Sequence, residues 1–233
     1  MTAVPGIVIA GLRKQFGPTV AVDLIDLVIQ PGEFVGLIGH NGAGKSTLLK
    51  MLAGQLLPTA GTVQIAGVDM LADPNRARAC LGFVPEEAPL WDYLSAREFL
   101  EFVISVRGKG DLAAAVELTG LGSDADRLIR EYSQGMRRKT ALAAALVGEP
   151  SVIVLDEALN GLDPPSAART KALLKERCQA GACVLFSTHI IETVEAVADR
   201  VVMMTKGRIV DDRKMSEIPP GGLERLFLGQ ISG

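Results

Sequence analysis

The sequence has few cysteines, and their arrangement excludes a disulfide framework. Only Cys80, Cys178 and Cys183 occur among its 233 residues. The number is odd, and no two of them have the C-x-x-C spacing of a structural zinc site. We therefore expect neither a disulfide scaffold nor a zinc site, and this cysteine usage fits a reducing cytoplasm best.

Long hydrophobic runs are also missing. Polar or charged residues interrupt every apolar run before it reaches the roughly 18 residues that a membrane-spanning helix needs. The first ten residues lack the basic region, long apolar stretch and cleavage site of a secretory signal. The sequence therefore predicts a chain without a membrane span or a signal peptide.

Neither sign of charge dominates the composition. The chain has 24 Lys and Arg residues against 27 Asp and Glu, a net charge of −3, with no long run of like charges. Because binding to a phosphate backbone relies on clustered Lys and Arg, we expect no nucleic-acid partner. With 48% hydrophobic and 22% charged residues, the composition is that of a globular protein with a sizeable core and one or two domains.

Short apolar runs typical of strands alternate with helical patterns, which predicts an α/β sheet with crossover helices. The clearest runs lie at residues 34–38, 81–84, 152–155 and 184–187. Two further runs, at 201–204 and 208–210, flank a predicted hairpin turn.

Helical periodicity takes over between residues 86 and 150 and predicts a helical lobe inserted into the sheet domain. An alanine-rich stretch at 140–147 predicts one helix there. An apolar stripe predicts another and consists of Leu94, Phe99, Leu100, Val103 and Val106.

Residues 39–46 have the full pattern G-x-x-x-x-G-K-[ST], between an apolar strand and a helical run. The glycines let backbone N–H groups converge on an anion, and the positive end of the following helix faces the same point. Lys45 supplies a charge for the β- and γ-phosphates, and the Ser46 hydroxyl can ligate Mg²⁺. A glycine-rich turn that carries Lys-Ser by chance is the weaker alternative. We expect phosphate contacts from Gly39, His40, Asn41, Gly42, Ala43, Gly44, Lys45, Ser46 and Thr47.

A later strand-like run ends in Asp156 and Glu157. A carboxylate at the end of a buried strand needs a cation, so Asp156 is predicted to hold Mg²⁺ through water. Glu157 is predicted to orient or deprotonate the water that attacks the γ-phosphate. By itself, a strand ending in a solvated turn explains these residues equally well. Together with the phosphate-binding loop, they predict nucleotide hydrolysis.

The segment Tyr132-Ser133-Gln134-Gly135-Met136 narrows the choice of family. Here the chain resembles the ATP-binding subunit of an ABC transporter, whose signature is L-S-G-G-Q in its commonest form. Ser133 and Gly135 keep that signature, and the departures resemble variants of the subfamily that drives export-type permeases. The resemblance implies that residues 133–135 contact nucleotide, although Ser133 by itself fits a plain helix N-cap better.

Three further positions resemble the same family. Residues 160–163 resemble its D-loop and give Asp163 a nucleotide-binding role. His189 resembles its switch histidine, which contacts the γ-phosphate, although a lone histidine after a strand is more often structural. Phe16 lies where the family places an aromatic residue that stacks on adenine, and a core phenylalanine is an equal alternative.

Two departures from the family pattern affect the expected mechanism. Glu86 stands after Pro85 where the family usually has a glutamine that reaches Mg²⁺ and the attacking water. A carboxylate can still ligate Mg²⁺, but it adds a negative charge near the phosphates. Ala158 and Leu159 replace the usual Pro-Thr, which should change turn stiffness more than chemistry.

The resemblance implies a RecA-like P-loop core of α/β class, with N-terminal antiparallel β strands and an inserted α-helical subdomain. We expect one ATPase domain over residues 1–218. Its core would comprise 1–85 and 151–218, its helical subdomain 86–150, and residues 219–233 would form a short tail.

The function implied is hydrolysis of MgATP, with ATP and Mg²⁺ as ligands, to drive a separate integral membrane permease. The chain would form an ATP-dependent, head-to-tail dimer with a second copy or a paralogue, so that Ser133 and Gly135 of one subunit cap the γ-phosphate held by Lys45 of the other. Residues 86–107 would touch the permease. The chain would then lie at the cytoplasmic face of the membrane and be soluble when isolated.

Two alternatives belong to other classes of protein. A soluble ABC ATPase of DNA repair or translation usually carries tandem ATPase domains, a long coiled coil or basic arms, which this sequence lacks. A module that senses ATP without hydrolysing it would not need Glu157 and His189.

Overall fold

The computed structural model describes residues 4–231, which form two β sheets surrounded by helices. The strands are β1 Ile7–Phe16, β2 Thr19–Ile29, β3 Phe34–Ile38, β4 Ala60–Ile65, β5 Val68–Asp69, β6 Leu81–Val84, β7 Val152–Asp156, β8 Cys183–Thr188, β9 Arg200–Thr205 and β10 Arg208–Lys214. The helices are α1 Lys45–Leu52, α2 Pro74–Ala79, α3 Ala96–Arg107, α4 Leu112–Thr119, α5 Gln134–Leu146, α6 Pro164–Gln179, α7 Ile191–Val197 and α8 Gly222–Ile231.

The larger sheet has the strand order β10-β9-β3-β8-β7-β6 and is parallel except for the β9–β10 pair. Every residue of β3, β7 and β8 is buried, because helices cover a parallel sheet on both faces. Parallel neighbours end at the same edge of a sheet, so the segments after β3, β7 and β8 meet there. The predicted α/β class and the four predicted strands are confirmed.

The predicted hairpin near the C-terminus is also confirmed. Thr205 pairs with Arg208, and the turn between them consists of Lys206 and Gly207. Both turn residues have positive φ, 50° and 79°, which matches the twist of the flanking strands.

The smaller sheet is antiparallel, with the order β2-β1-β4-β5, as predicted for the N-terminal strands. Its inward side chains share one core with α1 and with β3 and β7 of the larger sheet. Leu48 and Leu52 on α1 are fully buried in that core. The helix after the phosphate-binding motif is thus packed between the two sheets.

The region between β6 and β7 contains α3, α4 and α5, with its own small core around Leu100 and Ala143. Two predictions for this region are wrong in detail. α5 spans Gln134–Leu146, so it begins six residues before the alanine-rich stretch that predicted it. Val106 is 69% exposed, so it does not belong to the buried apolar stripe of α3.

Residues 219–233 were predicted to form a short tail, of which 232 and 233, like residues 1–3, lie outside the described residues. The described part contains α8, whose Leu223 is fully buried near α7 and β9. Among the helices of residues 4–231, none combines the length and the apolar character that crossing a membrane requires.

Candidate active site

The predicted phosphate-binding loop joins β3 to α1 and depends on two glycines with left-handed backbone. Gly42 has a φ of +80° and Gly44 a φ of +104°, which L residues rarely adopt. A Cβ atom on Gly44 would also lie 2.3 Å from the carbonyl oxygen of Ala21 in β2. Both its conformation and the close packing of the smaller sheet therefore require glycine at position 44.

The loop is also held by the turn between β9 and β10. The amide of Gly207 donates a hydrogen bond to the carbonyl oxygen of Ala43 at 2.9 Å. The carbonyl oxygen of Gly207 in turn accepts from the amide of Asp23 in β2, also at 2.9 Å. A turn from the C-terminal part of the chain therefore links the loop to the smaller sheet.

Lys45 is the first residue of α1 and is only 7% exposed. Its Nζ donates to the carbonyl oxygens of Gly39 at 2.7 Å and of His40 at 3.4 Å. Burial lowers the pKa of Lys45, and nearby carboxylates, Glu157 foremost, offset part of this effect. The ammonium group lies 4.0 Å from Oε1 of Glu157, so a cation and a carboxylate face each other at the loop.

Asp156 ends β7 and is 1% exposed. Its Oδ1 accepts a hydrogen bond from the Ser187 hydroxyl at 2.7 Å, whereas its buried Oδ2 has no partner among the described residues. A buried carboxylate oxygen without a partner is costly, and a hard cation would satisfy it. Residues 4–231 hold no cluster of three His, Cys, Asp or Glu ligands. The chemistry of Asp156 therefore fits a hard divalent cation such as Mg²⁺, for which the Ser46 hydroxyl would be a further oxygen ligand.

Glu157 is held by its backbone and by its side chain. Its φ is +52°, and its amide donates to the carbonyl and hydroxyl oxygens of Ser187 at 3.2 and 3.0 Å. Its Oε2 interacts with Nδ1 of His189 at 3.1 Å and accepts from Nδ2 of Asn160. Strained backbone of this kind costs about 1–3 kcal/mol and occurs most often at functional sites. The carboxylate therefore has a defined position beside Lys45.

Lys45 and Glu157 line a cavity of 480 Å³, a volume typical of small-ligand sites, whereas the buried Asp156 does not line it. The loop contributes residues 41–47, and the remaining lining residues are Ala21, Glu86, Arg138, Glu157, Asn160 and His189. The structure thus brings together most of the loop with three predicted residues from separate segments, namely Glu86, Glu157 and His189. Gly39 and His40 contact Lys45 but do not line this cavity.

Phe16 lies at the end of β1 and does not line the cavity. It is 47% exposed, so it is not a core phenylalanine. Nζ of Lys14 lies 4.9 Å from the centroid of its ring. Its proposed stacking on adenine stays a prediction.

The signature residues lie outside the cavity of the loop. Ser133 is the exposed N-cap of α5, and its Oγ accepts from the amide of Met136 at 3.3 Å. Gln134 lines a second cavity, of 530 Å³, which Glu86 and Arg138 also line. The nucleotide-binding roles of residues 133–135 therefore stay predictions.

Asp163 caps α6 rather than lining the cavity. Its carboxylate accepts from the amide of Ser166 at 2.9 Å and from its hydroxyl at 2.8 Å, and it pairs with Lys139 at 3.0 Å. The bonds from Ser166, followed by that from Lys139, lower the pKa of Asp163 strongly. These contacts describe a helix cap, and contact with nucleotide stays a prediction.

Two polar lining residues, like the apolar Ala21, had no role in the sequence-based prediction. Asn160 belongs to the segment 160–163, in which only Asp163 was singled out. Arg138 is one of three consecutive basic residues on α5, and the sequence does not distinguish which of them faces the cavity. Their positions depend on how α5 packs near β7, which residue spacing does not reveal.

A family model described as ABC transporter matches residues 22–160. The chain is 32% identical to the bacitracin transport ATP-binding protein of Enterococcus faecalis over 211 residues, which cover 89% of this chain and 68% of that protein. It is 33% identical to the daunorubicin/doxorubicin resistance ATP-binding protein of Streptomyces peucetius over 215 residues, which cover 90% of this chain and 65% of that protein. The chain therefore spans about two thirds of the length of these relatives.

Solved structures agree with the family match. A structure of an ATP-binding subunit of an ABC transporter superimposes with a TM-score of 0.89 at 26% identity, covering 98% of this chain and 99% of that one. The dimeric ATP-binding cassette MJ0796 bound to ADP and Pi superimposes with a TM-score of 0.83 at 24% identity, covering 90% and 98%, and supports the fold. Since the family model covers more than half of the sequence, the chain belongs to the ABC transporter family, as one of its ATP-binding subunits.

Proposed function

We propose that this chain binds MgATP in the cavity beside residues 41–47 and uses its hydrolysis to drive a separate membrane permease. The observation that carries the proposal is the position of Lys45, buried at the start of α1 and 4.0 Å from Glu157. A cation for the transferring phosphate and a carboxylate for the attacking water are then side by side.

Each group in the cavity has one task in this proposal. The backbone amides of residues 41–46 and the N-terminus of α1 bind the phosphates, and Lys45 contacts the β- and γ-phosphates. Glu157 accepts the proton of the attacking water as the bond from the water oxygen to the γ-phosphorus forms and the bond to the β–γ bridging oxygen breaks, with ADP as the leaving group. His189, next to Glu157, contacts the γ-phosphate. Phe16 lies outside this cavity, and its half-exposed ring is the proposed stacking surface for the adenine.

Magnesium would be held by Ser46 and Asp156, with Glu86 as a further oxygen donor from the cavity lining. The support is the buried Oδ2 atom of Asp156, which has no partner among residues 4–231. When bound, the ion neutralises charge on the phosphate oxygens. Glu86 is exposed and lines the cavity, and its negative charge offsets part of the lowering of the Lys45 pKa by burial.

We propose further that the working unit is a head-to-tail dimer with a second copy or a paralogue. Ser133 and Gln134 are exposed at the N-terminus of α5 and do not line the cavity of their own loop. The N-terminus of this 13-residue helix is suited to bind an anion. It would therefore meet the γ-phosphate held by the partner subunit, with Gly135 and Asp163 at the same interface.

Residues 86–107 are the proposed contact with the permease, at the cytoplasmic face of the membrane. This segment carries unusually large exposed apolar side chains, of which Tyr93 is 79% and Trp91 49% exposed. Exposed apolar groups of this kind often mark an interaction surface. The two bacterial relatives are named as transport and resistance proteins, which favours an export-type transporter over DNA repair or translation.

A phosphate-release assay tests the enzymatic core of the proposal. The purified parent chain should release phosphate from MgATP, and Glu157→Gln should reduce kcat by about 100-fold or more, because general base catalysis contributes at least that much. Glu117→Gln, an exposed substitution of the same kind on α4, is the matched control. A Glu157→Gln variant with the parental rate would overturn the assignment of the base.

A further inference from the structure

The side-chain amide of Asn160 bridges Glu157 and Thr188. Its Nδ2 group donates to Oε2 of Glu157, and its Oδ1 accepts from the Thr188 hydroxyl at 3.3 Å. Thr188 is fully buried, and its hydroxyl oxygen accepts from the amide of Ile190 at 3.0 Å. Asn160 thus connects the carboxylate after β7 with the end of β8.

These partners favour one orientation of the amide. The Thr188 hydroxyl can donate its proton to the amide oxygen of Asn160 while its own oxygen accepts from Ile190. The NH₂ group then faces Glu157. The reversed amide would place its oxygen against a carboxylate, which accepts hydrogen bonds but does not donate them when ionised.

The backbone of Asn160 is held by α5. The guanidinium of Arg138 donates from Nη1 to the carbonyl oxygen of Asn160. Gly161 makes this contact feasible, because its φ is +70° and a Cβ atom there would lie 2.7 Å from the same nitrogen. Arg138 also lines both the loop cavity and the second cavity beside α5.

We propose that Asn160 is a positioning residue for Glu157, and that Arg138 makes this positioning depend on the position of α5. The inference rests on the proposed role of Glu157 as the base. With Oε2 held by Asn160 and His189, Oε1 remains on the side of Lys45 to meet the attacking water. A reacting group must be held within about 1 Å of its productive position, which two donors on one oxygen achieve.

Arg138 connects α5, the helix that Ser133 caps, with Glu157 of the same subunit through Asn160. α5 begins at Gln134, directly after Ser133, and Arg138 lies one turn further along the same helix. A displacement of α5 by a ligand at its N-terminus would move Arg138, and with it the backbone of Asn160. Binding of a ligand at the N-terminus of α5 would thereby change the position of Glu157.

Steady-state kinetics with MgATP test the role of Asn160. Asn160→Ala should lower kcat about 10- to 100-fold with KM unchanged, since Glu157 loses its orientation while the phosphate contacts remain. Asn160→Asp has the same size but places a carboxylate against Glu157, and it should lower kcat at least as much. Asn75→Ala, an exposed position on α2, is the matched control. Parental kcat in either Asn160 variant would overturn the proposal.

A double-mutant cycle separates positioning from a general structural effect. In a Glu157→Gln background, Asn160→Ala should change the residual rate by less than about twofold, because there is no base left to position. The full single-mutant loss in that background would contradict the proposal. Arg138→Gln should lower kcat with KM unchanged, with the exposed Arg76→Gln as its control. An unaffected kcat in Arg138→Gln would overturn the connection to α5.

The same measurements distinguish this inference from the proposed function. If Glu157→Gln hydrolyses ATP at the parental rate, the base assignment fails and the positioning role fails with it. If Glu157→Gln is inactive while Asn160→Ala has the parental kcat, the positioning role alone fails.

Discussion

The backbone of Glu157 illustrates which features of this site a sequence can predict. The spacing of motifs predicts a carboxylate after a buried strand, but not its φ of +52°. That conformation depends on two hydrogen bonds to Ser187 from the neighbouring strand β8, a pairing that local sequence does not encode. The presence of a carboxylate after this strand was therefore predictable, whereas its orientation and its contact with Asn160 were not.

Among single residues, Lys45 allows a direct test, since Lys45→Ala should abolish tight binding of MgATP. The change removes a charge-assisted contact to the phosphates at a buried position, which should cost about 2–4 kcal/mol. Isothermal titration of the purified variant measures the loss, and Lys50→Ala, on the exposed face of the same helix, is the control. An affinity within about twofold of the parent would contradict the phosphate-binding role of Lys45.

Glu86→Gln should raise kcat while leaving the affinity for MgATP intact. The substitution removes a negative charge near the phosphates, which at an exposed position is worth about 1 kcal/mol, or about fivefold in rate. A phosphate-release assay measures kcat, and titration with nucleotide measures the affinity. Glu87→Gln, which changes the adjacent carboxylate outside the loop cavity, serves for comparison. Equal rates for Glu86→Gln and the parent would mean that Glu86 does not act on the reaction.

At the scale of elements, the start of α5 combines a structural role with a proposed functional one. Its N-cap Ser133 accepts a bond from Met136, and the N-cap of α3, Ser95, forms a complete capping box with Glu98. Any serine in these positions stabilises a helix N-terminus. The proposed contact with a partner's phosphate distinguishes Ser133 from Ser95.

Ser133→Ala and Ser95→Ala should each lower the free energy of unfolding by about 1 kcal/mol, the usual cost of losing an N-cap. Urea denaturation followed by circular dichroism measures this. Only Ser133→Ala should also lower the ATPase rate, because it alone removes a group from the proposed dimer interface. A matched loss of stability with equal ATPase rates would show that Ser133 is a cap and nothing more.

The elements also show where sequence patterns lose their reliability. The strands of the larger sheet were predictable because burial on both faces leaves continuous apolar runs. The burial of Leu223 on α8 was not, since Pro219-Pro220-Gly221-Gly222 marks a break in the chain but does not indicate how the next segment packs. The neighbours of Leu223, α7 and β9, come from separate segments of the chain.

For the whole molecule, Glu157→Gln should convert a transient ATP-dependent dimer into a stable one. The substitution keeps the phosphate contacts but removes the base, so bound ATP would persist and stabilise the dimer by mass action. Size exclusion with light scattering should give a monomer without nucleotide and a dimer with millimolar ATP. A variant that remains monomeric would contradict the self-dimer, and an ATP-dependent heterodimer with a paralogue would then identify the proper partner.

The turn at Lys206 and Gly207 has a consequence for how the protein is made. Gly207 bonds to Ala43 in the phosphate-binding loop and to Asp23 in β2, so residues near both ends of the chain complete the same loop. During synthesis the motif at 39–46 leaves the ribosome long before residue 207 does, and N-terminal segments begin to fold first. A nascent chain would therefore display the whole motif and yet lack the backbone bond that fixes it. Competence to bind nucleotide should appear late in translation, once the C-terminal hairpin has emerged.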